Sequence, residues 1–568
     1  MTARAVPRSD GRLWTFASLV IAALVLAPVA ALVAIAARGS GDLWPHLARY
    51  VLPQAVQDTA LLLLGVGAIV VVVGVGTAWL VATCRFPGRD LFDWALLLPL
   101  AVPTYIVAFA YLDVLHPLGP IQSAVRAAFG IEDVRGFSLP EIRSLWGASL
   151  LLGFVLYPYV YLAARALFLM QSASALEVAR TLGASGTATF FRVALPLARP
   201  AIVVGTTLAL LEALNDIGAA EFLGVRTLTV SIYATWLNRS SLPGAAQIAL
   251  VMLAAVIALV MLERWARRRQ RFTGAARRSH PPSPAQLGGF AAAGAVLACA
   301  LPIAIGFVVP FLHLAAEASG RIAGFGLSPR LLIEARNSVG FAIVATAITL
   351  ALGLVLAYAV RLDRGGLATT AARLASLGYA IPGTVLAVGL LTPLAAFDNA
   401  LDGALRQAFG VGTGLLISGS GAALVIAYAI RFLAISAGGI EAGFSKIPTS
   451  FDGAARSLGE TKAGTVRRIH LPLLAPAIGA AAILVFVDCM KELPATLLLR
   501  PIGFETLATH IYQEASRGSY EDGAVAALLI VLVGLGPVVL LARMSRPMLV
   551  LSGRSDAAAQ DLSAGRSL

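Results

Sequence analysis

Twelve apolar stretches, each about as long as a helix that crosses a bilayer, constrain the fold of this 568-residue chain more than any other feature. Roughly 20 helical residues span the hydrocarbon core, where the backbone must satisfy its own hydrogen bonds. With 58% hydrophobic and 13% charged residues, a soluble domain of this size is excluded. The sequence therefore predicts an all-α integral membrane protein. The predicted spans are residues 14–36, 59–83, 93–113, 144–168, 199–219, 242–262, 286–314, 338–360, 374–397, 411–433, 475–495 and 523–543.

The basic residues predict the orientation of these spans. The formal net charge is +13, and most of the 43 lysines and arginines lie in segments that are cytoplasmic if both termini are cytoplasmic. Positive charge concentrates on the cytoplasmic side of membrane proteins. The excess of basic residues is therefore explained by membrane topology and does not indicate nucleic-acid binding. Membrane lipid is the expected surrounding partner.

One stretch of the chain occurs twice. Residues 179–202 read ARTLGASGTATFFRVALPLARPAI, and residues 455–478 read ARSLGETKAGTVRRIHLPLLAPAI, with no gap needed to align them. Each half contains six predicted spans, an even number, so both halves enter the membrane in the same direction and form a parallel repeat. The predicted organisation is a first module at 1–262, a cytoplasmic basic linker at 263–285, a second module at 286–545 and a cytoplasmic tail at 546–568.

The repeated stretch predicts a short cytoplasmic helix, a turn and re-entry into the membrane. Leu176 to Leu182 consists largely of good helix formers, and Gly183 is suited to end the helix because glycine adopts the left-handed conformation at little cost. Leu195-Pro196 is suited to the first turn of the next helix. Two copies at the same depth in the two halves predict a pair of docking elements.

Four acids and a lysine fall within the fifth and eleventh predicted spans. Glu212 and Asp216 correspond to Asp488 and Glu492, and Lys491 precedes the last of them. The spacing predicts that each pair lies one helical turn apart on one face. A charge facing lipid costs roughly 2.5–3.5 kcal/mol, so we expect these side chains to line or brace the interior.

Two interpretations of these acids stay open. In one, Lys491 pairs with Asp488 or Glu492, and the acids are structural. In the other, the acids form part of an electronegative route for a hard cation, which carboxylate oxygens bind well.

The sequence lacks the motifs of ATP hydrolysis, disulfide frameworks and metal binding. There is no GxxxxGK[ST] motif, so ATP must be hydrolysed by a partner if the protein uses it. The three cysteines show no CxxC pattern and the six histidines no ligand spacing. We expect a transport subunit rather than an enzyme, with no metal site and no cofactor.

The first copy of the repeat resembles the EAA motif of binding-protein-dependent ABC importer permeases. In the second copy Gly453 stands at the glutamate position, with Asp452 one residue earlier, so the two copies need not act equally. The resemblance implies a MetI-like type I fold, a cytoplasmic ABC ATPase dimer bound by the two short helices, and a periplasmic substrate-binding protein. It implies an ATPase-coupling role for Glu177, Ala179, Arg180, Gly183, Leu195, Pro196, Asp452, Ala455, Arg456, Gly459, Leu471 and Pro472.

Two further regions resemble ferric-iron uptake permeases. Residues 486–496 with 505–509 are similar to the eleventh-helix region of that family, and residues 212–218 with 222–229 to its fifth-helix region. The resemblance implies Fe³⁺ as substrate and a bacterial inner membrane, and the distribution of basic residues predicts that both termini are cytoplasmic. Thiamine, a polyamine or an inorganic anion carried by the same architecture is the alternative, and an ion-gradient-driven secondary transporter is a less favoured one.

Overall fold

The computed structural model describes residues 10–133, 136–170, 183, 185–267, 285–363 and 365–545. Within this part the fold is helical, apart from two short strands, Cys84–Arg85 (β1) and Ala285–Gln286 (β2), that pair in parallel. The α-helices are α1 (Asp10–Ala37), α2 (Leu43–His46), α3 (Leu52–Thr83), α4 (Arg89–Ala95), α5 (Thr104–Val114), α6 (Pro120–Phe129), α7 (Leu145–Met170), α8 (Gly186–Thr189), α9 (Leu195–Asn215), α10 (Gly218–Phe222), α11 (Leu228–Leu237), α12 (Leu242–Arg267), α13 (Gly289–Ile303), α14 (Val309–Phe325), α15 (Pro329–Leu362), α16 (Leu367–Ala375), α17 (Gly383–Phe409), α18 (Ala422–Phe444), α19 (Ser450–Ser457), α20 (Lys462–Thr465), α21 (Leu471–Met490), α22 (Pro494–Leu499), α23 (Leu507–Arg517) and α24 (Tyr520–Ser545).

The predicted all-α membrane fold is confirmed. Eleven helices of the described residues are long and apolar enough to cross a membrane. A twelfth span is broken: Arg89–Ala101 and Thr104–Val114 meet at an angle of 90°. Pro103 stands at the break with an extended backbone, because proline cannot continue the hydrogen-bond pattern of the preceding helix.

Several predicted boundaries are wrong. The seventh span, expected at 286–314, extends to Phe325, and the ninth, expected at 374–397, is the helix Gly383–Phe409. The tenth span, expected at 411–433, is the helix Ala422–Phe444. Asp398 accepts hydrogen bonds from the backbone N–H groups of Ile417 and Ser418, at 2.9 and 2.8 Å. Asp402 similarly binds backbone N–H groups further back in this turn. Carboxylates that bind turn amides stabilise a non-helical path, which hydropathy alone does not detect.

Four described π-helical turns lie at the same position relative to a following proline. Each ends two residues before a proline, and the turns are Leu47–Val51, Phe190–Ala194, Ala304–Val308 and Val466–His470. A proline lacks the N–H that would bond four residues back, and a widened turn accommodates its ring. Consequently the membrane helix that contains Pro196 begins at Gly186. As predicted, the Leu-Pro pair stands in the first turn of the α-helical segment Leu195–Asn215, and the π-helical turn extends this helix back to Gly186.

The described chain forms two compact units. The first contains the residues up to Ala55, Leu228–Val256 and Phe325–Glu514. In it α1 packs against α15, α16 and α17, and α15 packs against α18 and α21. Trp14 of α1 packs edge to face against Tyr358, with 4.8 Å between the ring centroids. Tyr358 itself belongs to a buried cluster with Phe444 and Leu474.

The second unit contains Val56–Thr227, Ile257–Gly324 and the residues from Ala515 onward. Here α7 packs against α9, and the π-helical turn at Ala304–Val308 packs against α7. Asp93 and Arg165 form a bidentate ion pair at 2.6 and 2.7 Å.

Each unit therefore includes the first span of the opposite sequence half, α1 in the first unit and α13 in the second. The compact units are not identical with the two predicted modules, whose boundaries stay a prediction. Residues 268–284 of the predicted linker and the predicted tail 546–568 lie outside the described residues.

Candidate functional site

The second copy of the repeated stretch forms a short exposed helix, α19, that ends at a left-handed glycine. Gly459 has a φ of +82°, and its N–H donates to the Arg456 carbonyl at 3.1 Å. In the first copy Gly183 has a φ of +83°. The other predicted residues of the first helix, Glu177, Ala179 and Arg180, lie outside the described residues.

One carboxylate attaches α19 to the membrane helices. Asp452 Oδ2 accepts from Arg361 Nη2 at 2.7 Å and from Arg361 Nε at 3.1 Å. Asp452 Oδ1 lies 2.7 Å from Nε2 of His470, a fully buried side chain. Arg361 Nη1 also donates to the carbonyls of Phe444 and Ile447, both at 3.1 Å. Asp452 therefore links α15, α19 and the start of the following membrane helix.

A neighbouring face of α19 carries exposed apolar side chains. Ala455 is buried, while Phe451 and Leu458 are 45% and 84% exposed. These apolar residues seven positions apart share a helix face with exposed Ala454. Large exposed apolar side chains in such a row are typical of a binding surface.

Leu195-Pro196 and Leu471-Pro472 lie at equivalent places, immediately after the π-helical turns Phe190–Ala194 and Val466–His470. In both pairs the proline is exposed and the leucine half-buried. Arg456 is exposed on α19, where its Nε donates to the Asp452 carbonyl at 3.0 Å.

The predicted pathway acids lie at two helix breaks. Helix α9 ends at Asn215, and Asp216 is extended, with its Oδ1 accepting from the Ala219 N–H at 2.7 Å. Helix α21 ends at Met490, and Glu492 Oε1 accepts from the Ala495 N–H at 3.0 Å.

The prediction that Asp216 and Glu492 follow Glu212 and Asp488 one turn later on a continuous helix is wrong, because each helix ends between its two acids. The second acid instead caps the following short helix, whose first N–H groups have no partner within that helix.

Each capping acid also contacts the helix that follows a proline break. Asp216 accepts a hydrogen bond from the hydroxyl of Thr104, the first residue of α5. Gly383, the first residue of α17, lies so close to Glu492 that an added Cβ would be 2.7 Å from Oε1. Each break is thus a small polar site built within one unit.

Both oxygens of the Glu492 carboxylate accept hydrogen bonds. Oε2 accepts from the Thr496 N–H at 3.1 Å and from its hydroxyl at 2.8 Å. Arg431 Nη1 lies 3.6 Å from Oε1, and the Glu492 side chain is only 1% exposed. This carboxylate is an internal counter-charge and helix cap.

Asp488 and Lys491 form a separate, more exposed pair, with Lys491 Nζ 2.8 Å from Asp488 Oδ1. Glu212 is half-buried in the corresponding region of the other unit. Of the two partners considered for Lys491, the structure places Asp488 against it.

Sequence reasoning missed several members of these sites. Arg431 is a charge inside the predicted tenth span, which is a functional signal by itself. Arg361 and His470 carry no such signal, since their positions beside Asp452 depend on three different helices. Likewise Asp113 and His313 are 200 positions apart in sequence but adjacent in the structure.

The fold and these sites define a class: a multi-pass helical membrane protein with a duplicated module and a short exposed helix between spans. A family model described as "Binding-protein-dependent transport system inner membrane component" matches the chain twice, over residues 71–272 and 349–547. The chain belongs to this family and fuses two of its modules. It is a permease of the ABC importer class in the inner membrane, and the predicted family is confirmed.

The chain is similar to the Fe(3+)-transport system permease protein FbpB 2 of Haemophilus influenzae, with 25% identity over 497 residues that cover 86% of this chain and 89% of that protein. It is also similar to the probable ABC transporter permease protein y4fN of Sinorhizobium fredii, with 26% identity over 82% of both chains. The molybdenum transport system permease protein ModB of Escherichia coli is 31% identical over 34% of this chain and 83% of its own length.

Proposed function

We propose that this permease carries ferric iron, delivered by a periplasmic binding protein and driven by a separate cytoplasmic ATPase dimer. The observation that carries the proposal is the match to the Fe(3+)-transport permease, which extends over 86% of the chain and so includes both modules. The similarity to the molybdenum permease covers only 34% of the chain. An inorganic anion is the alternative, since a sulfate transport permease of Synechococcus elongatus is 31% identical over 32% of this chain.

In this proposal the exposed face of α19 binds one ATPase subunit. Phe451 and Leu458 supply the apolar contact, and the helix reaches the membrane domain through Asp452 and Arg361. The corresponding stretch before Gly183 binds the second subunit. Both termini and the basic linker 263–285 lie on the ATPase side, with modules 1–262 and 286–545 on either side of that linker.

The acids divide into two proposed roles. Asp216 and Glu492 hold the helix breaks, because their oxygens are occupied by backbone and side-chain donors. Glu212, Asp488 and Lys491 are the pathway residues. The Lys491 and Asp488 side chains are 31% and 22% exposed, compared with 1% for Glu492, and Glu212 is half-buried. A conduction site must release its ion, so weak and partly hydrated carboxylates suit it better than a closed cage.

The cargo is tested in proteoliposomes that contain the permease, its ATPase and the binding protein encoded beside it. We expect ATP-dependent uptake of ⁵⁵Fe³⁺ from the loaded binding protein, without uptake of ⁹⁹Mo-molybdate or ³⁵S-sulfate. Uptake of either anion without iron uptake would refute the cargo assignment and leave the permease assignment intact. A liposome without the ATPase is the control for leakage.

A further inference from the structure

A cluster of three ionisable side chains shares no residue with α19 or with the two helix breaks. Asp113 is near the end of α5, and His313 and Glu317 are four residues apart on one face of α14. One ligand atom from each residue lies within 4.8 Å of the other two. All three residues belong to the second compact unit.

The cluster has the chemistry of a metal site. Two carboxylates and one imidazole suit borderline first-row transition metals. Asp113 Oδ2 lies 3.0 Å from His313 Nε2. That spacing fits two ligands bound to one metal ion at about 2.1 Å and roughly a right angle.

Glu317 strengthens this interpretation. Its side chain is half-buried beside Asp113 and His313, and the Glu317 carboxylate has no hydrogen bond or ion pair with the residues that the structure describes. Two nearby carboxylates repel each other unless a cation lies between them. A metal ion would give Glu317 the partner that it lacks.

The scaffold holds the three residues on regular helices. The Tyr111 hydroxyl donates to the Ile305 carbonyl at 3.0 Å, which joins α5 to the π-helical turn just before α14. Ligands on packed helices are held more precisely than ligands on loops. The metal would join the distal end of the broken third span, α5, to α14.

We propose that Asp113, His313 and Glu317 form a binding site for a divalent first-row transition-metal ion that clips α5 to α14. On the orientation proposed above, the site lies on the periplasmic side of the protein. The proposal does not depend on which cargo the permease carries.

The test uses the full chain, purified in detergent with a non-histidine affinity tag and stripped of metal with EDTA. Mn²⁺ is titrated, and bound ion is measured as loss of the six-line electron paramagnetic resonance signal of free Mn²⁺. We expect one Mn²⁺ per chain, with affinity lowered at least tenfold in Asp113→Asn, His313→Gln and Glu317→Gln. The matched control, His116→Gln, changes a histidine outside the cluster and should bind as wild type.

Absence of Mn²⁺ binding in the wild type, or equal binding in all variants, would overturn the proposal. Zn²⁺ X-ray absorption on the wild type gives a second measurement that does not depend on variant folding. A first shell of oxygen with one imidazole nitrogen is expected. A shell with sulfur, or with more than one imidazole, would place the metal elsewhere and equally overturn the assignment.

Discussion

Replacing Asp452 should release α19 from the membrane helices that it contacts. The Arg361 side chain is 8% exposed and the Asp452 side chain 26% exposed, so solvent screens this ion pair only partly. Asp452→Asn removes the counter-charge from two guanidinium hydrogen bonds and from the adjacent His470. Arg361 keeps its backbone carbonyl acceptors, which limits the loss.

Hydrogen bonds to a charged group contribute about 1.5–3 kcal/mol. We therefore expect the docking of α19 to weaken by about 2 kcal/mol, roughly a thirtyfold shift towards the undocked helix. Global unfolding should change less, because α19 has eight residues of which only Ala455 is buried.

The assay compares ATP hydrolysis with substrate uptake in proteoliposomes and follows hydrogen exchange over residues 450–458. In Asp452→Asn we expect faster exchange there and more ATP hydrolysed per substrate imported. The matched control is Glu460→Gln, which breaks the nearby Arg468 pair, where Arg468 is 74% exposed. Such a surface pair contributes about 0–1 kcal/mol. Wild-type exchange and coupling in Asp452→Asn, or an equal defect in both variants, would refute the anchoring role.

Three further predictions concern single substitutions, and two of them include a control substitution. Gly459→Ala should impair coupling and destabilise the helix end by about 1–2 kcal/mol, because the φ of Gly459 is +82°. Gly453→Ala should have neither effect, because there is open space around its Cβ position. Equal ATPase binding by the two variants in a pull-down would contradict this prediction. Glu492→Gln should lower the thermal unfolding midpoint markedly, since removing one partner of a buried ion pair costs about 3–5 kcal/mol. Asp488→Asn should have little effect on the midpoint. Equal midpoints for the two variants would disprove the structural role of Glu492. Gly383→Ala should cost about 1–3 kcal/mol through overpacking against the Glu492 carboxylate, and unchanged thermal unfolding would exclude that close approach.

The two helix breaks were only partly predictable from the sequence. The pairs Glu212/Asp216 and Asp488/Glu492 are visible as a duplicated pattern, and 3.6-residue periodicity places each on one helix face. In the structure the helices end before Asp216 and Glu492, because these carboxylates bind the free N–H groups of the next short helices. A side chain that competes with the backbone for hydrogen bonds defeats a prediction based on hydropathy and spacing.

The sequence by itself determined the membrane class, the approximate number of spans and the repeated segment, since apolar length and repetition are properties of contiguous residues. Only the tertiary structure decided that α1 packs with α15 to α17 and that Asp452 lies between Arg361 and His470. It likewise brought Asp113 to His313 across 200 positions. The physical reason is that apolar helices of similar length are interchangeable in hydropathy, and only the packing of their side chains selects which helices become neighbours.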